Sequence, residues 1–306
     1  MNASRSEVLI QSGPIRLAVR NHGGTGPVML LLHGAGRSAA DWLPMARLLV
    51  SHRHVIALDL RGHGLSESGE WNVDLVLRDI QTVLQSYSTS DISMVGHSLG
   101  GVLAFLYASR YGGVSHVIDL DGFALRAGEY VGLSCEEAAA SQERARAEWV
   151  RPQPTLTGKA VANLERRVAE IYGLCPADSS EIVRRRLNPL NNDRYDRYAF
   201  RTDAATTPGI RALYAAFLSD HSFFDLVRTI DAPSLIFRAN RLTLPTGLPE
   251  WHEEMLQAYF LGVQHQTEEL VQSGRLALSA RESSHMMLLE EPAALAAEIA
   301  QFLATS

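Results

Sequence analysis

Gly96-His97-Ser98-Leu99-Gly100 is the stretch on which the fold of this chain turns. It follows a short apolar run, Ile92 to Val95, and leads into a helix-like segment, Leu99 to Tyr111. Strand, Gly-x-Ser-x-Gly, helix is the setting in which a serine stands on a sharp turn with its hydroxyl clear of a sheet. Glycines two before and two after let the strand and helix approach closely. Ser98 is therefore the candidate nucleophile. Without its flanks the same pentapeptide reads as an ordinary Gly-Ser turn.

The surrounding sequence alternates. Val8 to Gln11 and Ile15 to Val19 flank Ser12-Gly13-Pro14 and read as a hairpin. Val28 to Leu32, Val55 to Leu58, Ile92 to Val95 and Val117 to Leu120 are short apolar runs, the last interrupted by Asp119. Such runs suit strands buried on both faces. Helical stretches lie between them. Ala39 to Val50 is one. In the next, Val76, Ile80, Val83, Leu84 and Tyr87 recur at helical spacing behind Asn72, a plausible N-cap.

After this sixth strand the pattern changes. From about Phe123 to about Asp220 the chain reads as helices with no convincing strand, punctuated by Arg151-Pro152-Gln153-Pro154. Alternation resumes with a seventh strand at Ser234 to Phe237, a helix from about Glu250 to Gln272, an eighth strand at Arg275 to Ala280, and a closing helix from Pro292 to Leu303. The expected fold class is α/β: a doubly wound, mostly parallel sheet of about eight strands, with a helical insertion after strand six. Residues 1–122 and 221–306 form the expected core and residues 123–220 the insertion. There is no internal repeat or low-complexity tract.

Composition narrows the function classes. The 306 residues are 46% hydrophobic and 20% charged, ordinary values for a globular chain able to bury a large core. The net charge of -6 argues against nucleic-acid or anionic-membrane partners. No apolar run approaches the roughly 20 residues of a membrane span. Met1 to Arg5 lacks the apolar core of a signal peptide, so a cytoplasmic location is expected. Cys135 and Cys175 sit in no metal-ligand spacing, and a reduced state fits best. No metal or cofactor is implied. The expected partner is a small-molecule substrate, and the oligomeric state is open, a homodimer included.

Four motifs carry a resemblance. His33-Gly34-Ala35-Gly36 follows a strand. Asp59-Leu60-Arg61-Gly62-His63-Gly64-Leu65-Ser66 follows another. Gly96 to Gly101 is the elbow, and Ser284-His285 precedes Leu288-Leu289-Glu290-Glu291-Pro292. Their order and kind resemble the α/β-hydrolase superfamily along roughly residues 6–121 and 222–304. The resemblance implies that 123–220 is a cap domain. It also implies that Ala35 supplies one N–H of an oxyanion hole.

The residues themselves assign other roles. A serine hydroxyl needs a base. Of the eleven histidines, His285 is best placed, just past the last strand. A base must be neutral, so turnover is expected to fall as that imidazole protonates. His33, His63 and His97 read as structural members of their turns. The N–H of Leu99, at a helix N-terminus, is an oxyanion donor.

The acid departs from the commonest family pattern. That pattern puts an Asp just after the seventh strand, but Arg238 to Pro245 contains no carboxylate, and the first one afterwards is Glu250. Asn240 carries no charge to stabilise an imidazolium. Asp121 ends the sixth strand on the ligand-binding edge, a position where haloalkane dehalogenases of the superfamily carry their acid. Asp121 is the first candidate and Glu250 the second.

The expected activity is a serine hydrolase that cleaves a carboxylic ester, lactone or thioester of a small hydrophobic molecule through an acyl-enzyme. Carbon–carbon bond hydrolysis, acyl transfer and lyase chemistry use the same parts, and a noncatalytic receptor can share the fold. Serine at the elbow disfavours the alkyl-enzyme chemistry of epoxide hydrolases and dehalogenases. Tyr130, Trp149, Tyr172, Tyr195, Tyr198, Phe200, Tyr214 and Phe217 read mainly as the cap's own core. Arg184-Arg185-Arg186 reads as a solvated helical face. The segment after the seventh strand, with its long helix, is expected to help wall the pocket.

Overall fold

The hairpin and the apolar runs build one sheet. In the computed structural model, β1 (Ser6–Ser12) and β2 (Ile15–Gly23) pair antiparallel across Gly13. Then come β3 (Val28–Leu32), β4 (His54–Leu58), β5 (Ile92–His97) and β6 (His116–Leu120). The structure describes residues 6–87, 91–148, 155–190, 197–200, 206–219, 222–242, 247–272, 274 and 276–305.

Helices alternate with these strands. Ala39–Trp42 is a 3-10 turn that runs into α1 (Leu43–Leu49), where Pro44, lacking an N–H, takes a first-turn position. The stretch expected as one helix is thus two short pieces. Next are α2 (Val73–Gln85) and α3 (Leu99–Tyr111). Asn72 caps α2 by accepting from the Leu75 N–H at 2.9 Å.

Between β6 and the seventh strand of the sheet lie α4 (Cys135–Glu148), β7 (Leu156–Thr157), α5 (Gly158–Tyr172), α6 (Pro176–Arg184), β8 (Leu187–Pro189), β9 (Arg197–Phe200) and α7 (Thr206–Ser219). The expectation of helices without strands needs correcting here. β7, β9 and β8 form a small antiparallel sheet. These strands are two to four residues long, too short for a two-residue alternation to emerge from the sequence. Trp149, Arg151 to Pro154, Tyr195, Asp220 and part of the Leu242 to Pro249 segment lie outside the described residues.

The core resumes with α8 (Phe223–Thr229), β10 (Ser234–Ala239), α9 (Glu250–Gln272), β11 (Ala277–Arg281), α10 (Met287–Glu290) and α11 (Pro292–Thr305). The eight-stranded sheet has the order β1-β2-β4-β3-β5-β6-β10-β11, and from β4 to β11 every pairing is parallel. Its alternation feeds two cores. Leu30, Leu32, Ile56, Leu58, Met94 and Val117 face one apolar layer, shared with α2, α3 and α8. Met29, Leu31, Val55, Ala57, Val95 and Ile118 face the other, shared with α1 and α11. Both faces are covered, as a doubly wound sheet requires. The strand order reverses at β3, between β4 and β5, and ligands bind beyond the carboxyl ends of strands at such a point.

Candidate active site

Register puts the key residues on one edge. Leu32 of β3 pairs with Gly96 of β5, and His97 pairs with Leu120 of β6. Ser98 and Asp121 are therefore the first residues beyond two adjacent strands. Each begins a strained turn. Among the described residues, they are the two non-glycine residues with positive φ, at 54° for Ser98 and 57° for Asp121.

Close packing explains the glycines around them. A Cβ on Gly96 would strike the Gly100 backbone, and one on Gly100 would strike the Leu32 carbonyl. A Cβ on Gly122 would strike the Ser98 carbonyl. Asp119 lies beneath this contact, fully buried, and both its oxygens accept from the Gly122 N–H at 3.0 and 3.1 Å. Burial holds the Asp119 carboxyl well above the usual carboxylate range. The turn at Ser98 and the turn at Asp121 are thus packed as one unit.

His285 comes from the loop after β11. Its Nδ1 lies 2.7 Å from Asp121 Oδ2. The other carboxylate oxygen, Oδ1, accepts from the Ala239 N–H at 2.9 Å, so the end of β10 holds this side chain in place. A carboxylate beside Nδ1 fixes the proton there and leaves Nε2 as the basic nitrogen. The imidazole is about half exposed, whereas the carboxylate is largely covered. Glu250 stands at the start of α9, and Asn240 donates to Glu282 at 3.1 Å rather than to His285.

The three small-residue loops are tied together by histidines. His33 donates from Nδ1 to the Gly34 carbonyl at 2.7 Å and accepts at Nε2 from the Leu60 N–H at 3.0 Å. Both ring nitrogens are thereby used in the neutral form, and burial pushes the imidazole down to about 4. His63 Nε2 accepts from the Gly36 N–H at 3.1 Å. His97 Nε2 donates to the His285 carbonyl at 2.8 Å. Ala35 is exposed and Leu99 buried, and among the described residues neither N–H has a hydrogen-bond acceptor. Leu99 is the first residue of α3, where an N–H has no partner within the helix.

A cavity of about 330 Å³ opens over this edge. Ser98, Asp121 and His285 line it, and Phe123, Ala124 and Leu125 continue its wall. Ala35 and Leu99 are not part of the lining. His252, Met255, Leu256 and Tyr259 also face it, one stripe of α9 at helical spacing. Gln142, Ala145 and Arg146 face it from α4. Among the aromatic residues expected in the cap core, Tyr130 is buried in the larger apolar core and Tyr214 packs against it, and both also line the cavity. Sequence reading did not single out Gln142 and Arg146. The 142/145/146 spacing marks one helix face, but nothing in the sequence says which face meets a cavity.

The arginine run is not a solvated face. Arg184 is exposed, but Arg185 is buried and Arg186 partly so. Arg185 bonds Asp59 and Glu7 of the core, and Arg186 Nε donates to the Gly36 carbonyl at 2.9 Å. The run clamps the insertion to the loops that carry Asp59 and Ala35.

Fold and site together define a doubly wound α/β protein with a serine elbow and a histidine–aspartate pair. A model of the alpha/beta hydrolase family matches residues 29–298, and the chain belongs to that family. Curated relatives match over shorter stretches. Protein phosphatase methylesterase 1 of Bos taurus is 34% identical over 111 residues, 34% of this chain and 29% of that protein. Epoxide hydrolase 4 of Mus musculus is 37% identical over 89 residues, 28% of this chain and 25% of that protein. The chain thus spans less than a third of the length of these relatives. Solved structures match along its whole length. E-2-(acetamidomethylene)succinate hydrolase superposes with a TM-score of 0.71 at 19% identity, covering 99% of this chain and 100% of that one. The thioesterase domain from the curacin biosynthetic pathway superposes with a TM-score of 0.70 at 20% identity, covering 97% and 99%. Among the described residues no helix is long and apolar enough to cross a membrane.

Proposed function

We propose that this chain is a serine hydrolase that cleaves a carboxylic ester, lactone or thioester of a small molecule through an acyl-enzyme on Ser98. The observation that supports this most is the 2.7 Å contact between His285 Nδ1 and Asp121 Oδ2, set beside a positive-φ serine in the same cavity.

The roles follow from the chemistry. His285 Nε2 takes the Ser98 proton as Oγ attacks the substrate carbonyl carbon. Charge develops on the carbonyl oxygen, and the N–H groups of Leu99 and Ala35 receive it. The imidazolium, steadied by Asp121, returns its proton to the departing alcohol or thiol. The C–O or C–S bond breaks and the acyl group stays on Ser98. A water molecule then repeats the attack, with His285 again as base, and releases the acid. Residues 123–220 act as the cap that closes over this edge, with the Glu250–Gln272 helix as the facing wall.

The test is labelling with a fluorophosphonate, followed by peptide mass spectrometry, together with turnover of p-nitrophenyl butyrate. A single adduct on Ser98 and ester cleavage lost in Ser98→Ala are expected. An unlabelled Ser98 in a folded protein that cleaves no ester would overturn the reading.

A further inference from the structure

Arg146 is a charged residue turned into a mostly apolar cavity. Its side chain is more than nine-tenths buried and lines the same space as Ser98. Its protein partner is Glu143, which receives Nη2 at 2.9 Å and Nε at 3.3 Å. That carboxylate is about two-thirds exposed and also faces Arg211. A pair serving only the helix surface would leave both groups in water, because exposed pairs of this kind stabilise little. Here the guanidinium is turned inward while its partner stays outside. Both Nη1 hydrogens and one on Nη2 have no acceptor among the described residues.

The neighbouring polar groups point the same way. Gln142 Nε2 donates to the Tyr130 hydroxyl, which leaves the Tyr130 hydrogen unspent. Burial raises the Tyr130 phenol above its ordinary value, so it remains an O–H donor. Tyr259 spends its hydrogen on the Phe123 carbonyl at 3.1 Å. Asp121 is the carboxylate in the lining, and its oxygens are taken by His285 and the Ala239 N–H. His252 and Tyr214 complete the titratable groups that face the space. The wall near Arg146 therefore offers donors and lacks a buried counter-charge.

We propose that Arg146, with the Tyr130 hydroxyl, receives a carboxylate carried by the substrate at the end remote from its scissile carbonyl. The planar guanidinium fork matches a carboxylate with two parallel hydrogen bonds. A single arginine with no second arginine or lysine among the described lining residues suits this monoanion better than a phosphate dianion. The apolar wall between the two ends takes the connecting chain. The inference deepens the acyl-hydrolase reading and rests on it for the chemistry at Ser98, but carboxylate binding can be measured apart from that chemistry.

The kinetic experiment uses p-nitrophenyl monoesters of succinate, glutarate and adipate, each beside the ester whose distal carboxylate is capped as the primary amide. The ratio of kcat/KM between acid and amide is the readout, so a general loss of activity cancels. The wild-type ratio is expected above 10 for at least one length. Arg146→Met is expected to lower it by about 10²-fold, and Arg146→Lys by less. A wild-type ratio of one or below at every length overturns the inference without any variant, and so does a ratio unchanged in Arg146→Met.

The binding experiment asks whether glutarate or adipate raises the melting temperature of the wild type and of Ser98→Ala, but not of Arg146→Met. A shift with phosphate and none with either dicarboxylate overturns the carboxylate assignment. Dicarboxylate shifts in a protein whose Ser98 takes no fluorophosphonate would sink the acyl-enzyme reading and leave the Arg146 site standing.

Discussion

His97 donates from its Nε2 to the main-chain carbonyl of His285 across 2.8 Å. A carbonyl only accepts, so the proton sits on Nε2, and the two rings stand 4.8 Å apart. The residue just before Ser98 thus holds the loop that carries His285, the proposed base. Burial, and then the facing His285, push the His97 imidazole well below the ordinary histidine value. It stays neutral and serves as a fixed hook rather than a titrating group. Small misplacements of a base cost about 10²-fold in rate. His97→Ala is therefore expected to lower kcat by about that factor with KM little changed, and His97→Gln, which keeps an N–H donor, to lower it less. Steady-state kinetics on p-nitrophenyl butyrate check this. A kcat for His97→Ala within threefold of wild type would show that the loop holds its place without the hook.

The acid yields a second prediction. Asp121 gives one oxygen to His285 and the other to the Ala239 N–H. An asparagine would keep the shape but lose the charge that steadies an imidazolium, a change worth about 10⁴ in kcat in a related constellation. Asp121→Asn is expected to approach that loss, whereas Glu250→Gln leaves kcat within about threefold. Reversed results for the two variants would put the acid on α9.

The ease of reading these parts from sequence differed for physical reasons. β3 to β6 were legible because a strand covered on both faces is a nearly continuous apolar run, broken within Val117 to Leu120 by Asp119 alone. The elbow was legible because contacts as tight as those at Gly96 and Gly100 exclude any Cβ. Asp121 could be placed because it directly follows a strand on the ligand edge. The insertion was harder to read. Its strands are too short to show a period, and the partners of Arg185 lie 126 and 178 residues away. No local pattern distinguishes an arginine that will meet Asp59 and Glu7 from one that will meet water. The hook from His97 to the His285 carbonyl spans 188 residues and uses a main-chain acceptor, which leaves no mark on composition.

Those distant partners make Arg185 a stability determinant. The Asp59 carboxylate is fully buried and holds the N–H groups of Ala39 and Leu65, each at 2.7 Å. Removing its arginine leaves a buried charge without its counter-ion, which typically costs about 3–5 kcal/mol. Arg185→Met is expected to lower the unfolding free energy by roughly that amount. Arg184→Met should change it by no more than about 1 kcal/mol, because Arg184 is half exposed in its pair with Glu165. Urea unfolding followed by tryptophan fluorescence measures both. Equal, small effects would mean that the insertion is not clamped through this residue.

His33 sets an acid limit on the fold. Burial lowers its imidazole to about 4, against an ordinary value of 6.5. Above the ordinary value the ring is neutral whether the chain is folded or not, and its bonds to Gly34 and Leu60 are intact. As pH falls below 6.5, the unfolded chain takes up a proton that the folded chain refuses, so stability is lost until pH reaches the folded value near 4. The full window amounts to roughly 3 kcal/mol, about 2 kcal/mol of it between pH 7 and pH 5. His97, also lowered by burial, acts in the same direction. Urea unfolding at the two pH values is expected to show at least this loss for the wild type. His33→Gln should start less stable but lose less between pH 7 and pH 5. If the variant and the wild type lost the same amount, the proton would not be entering at His33.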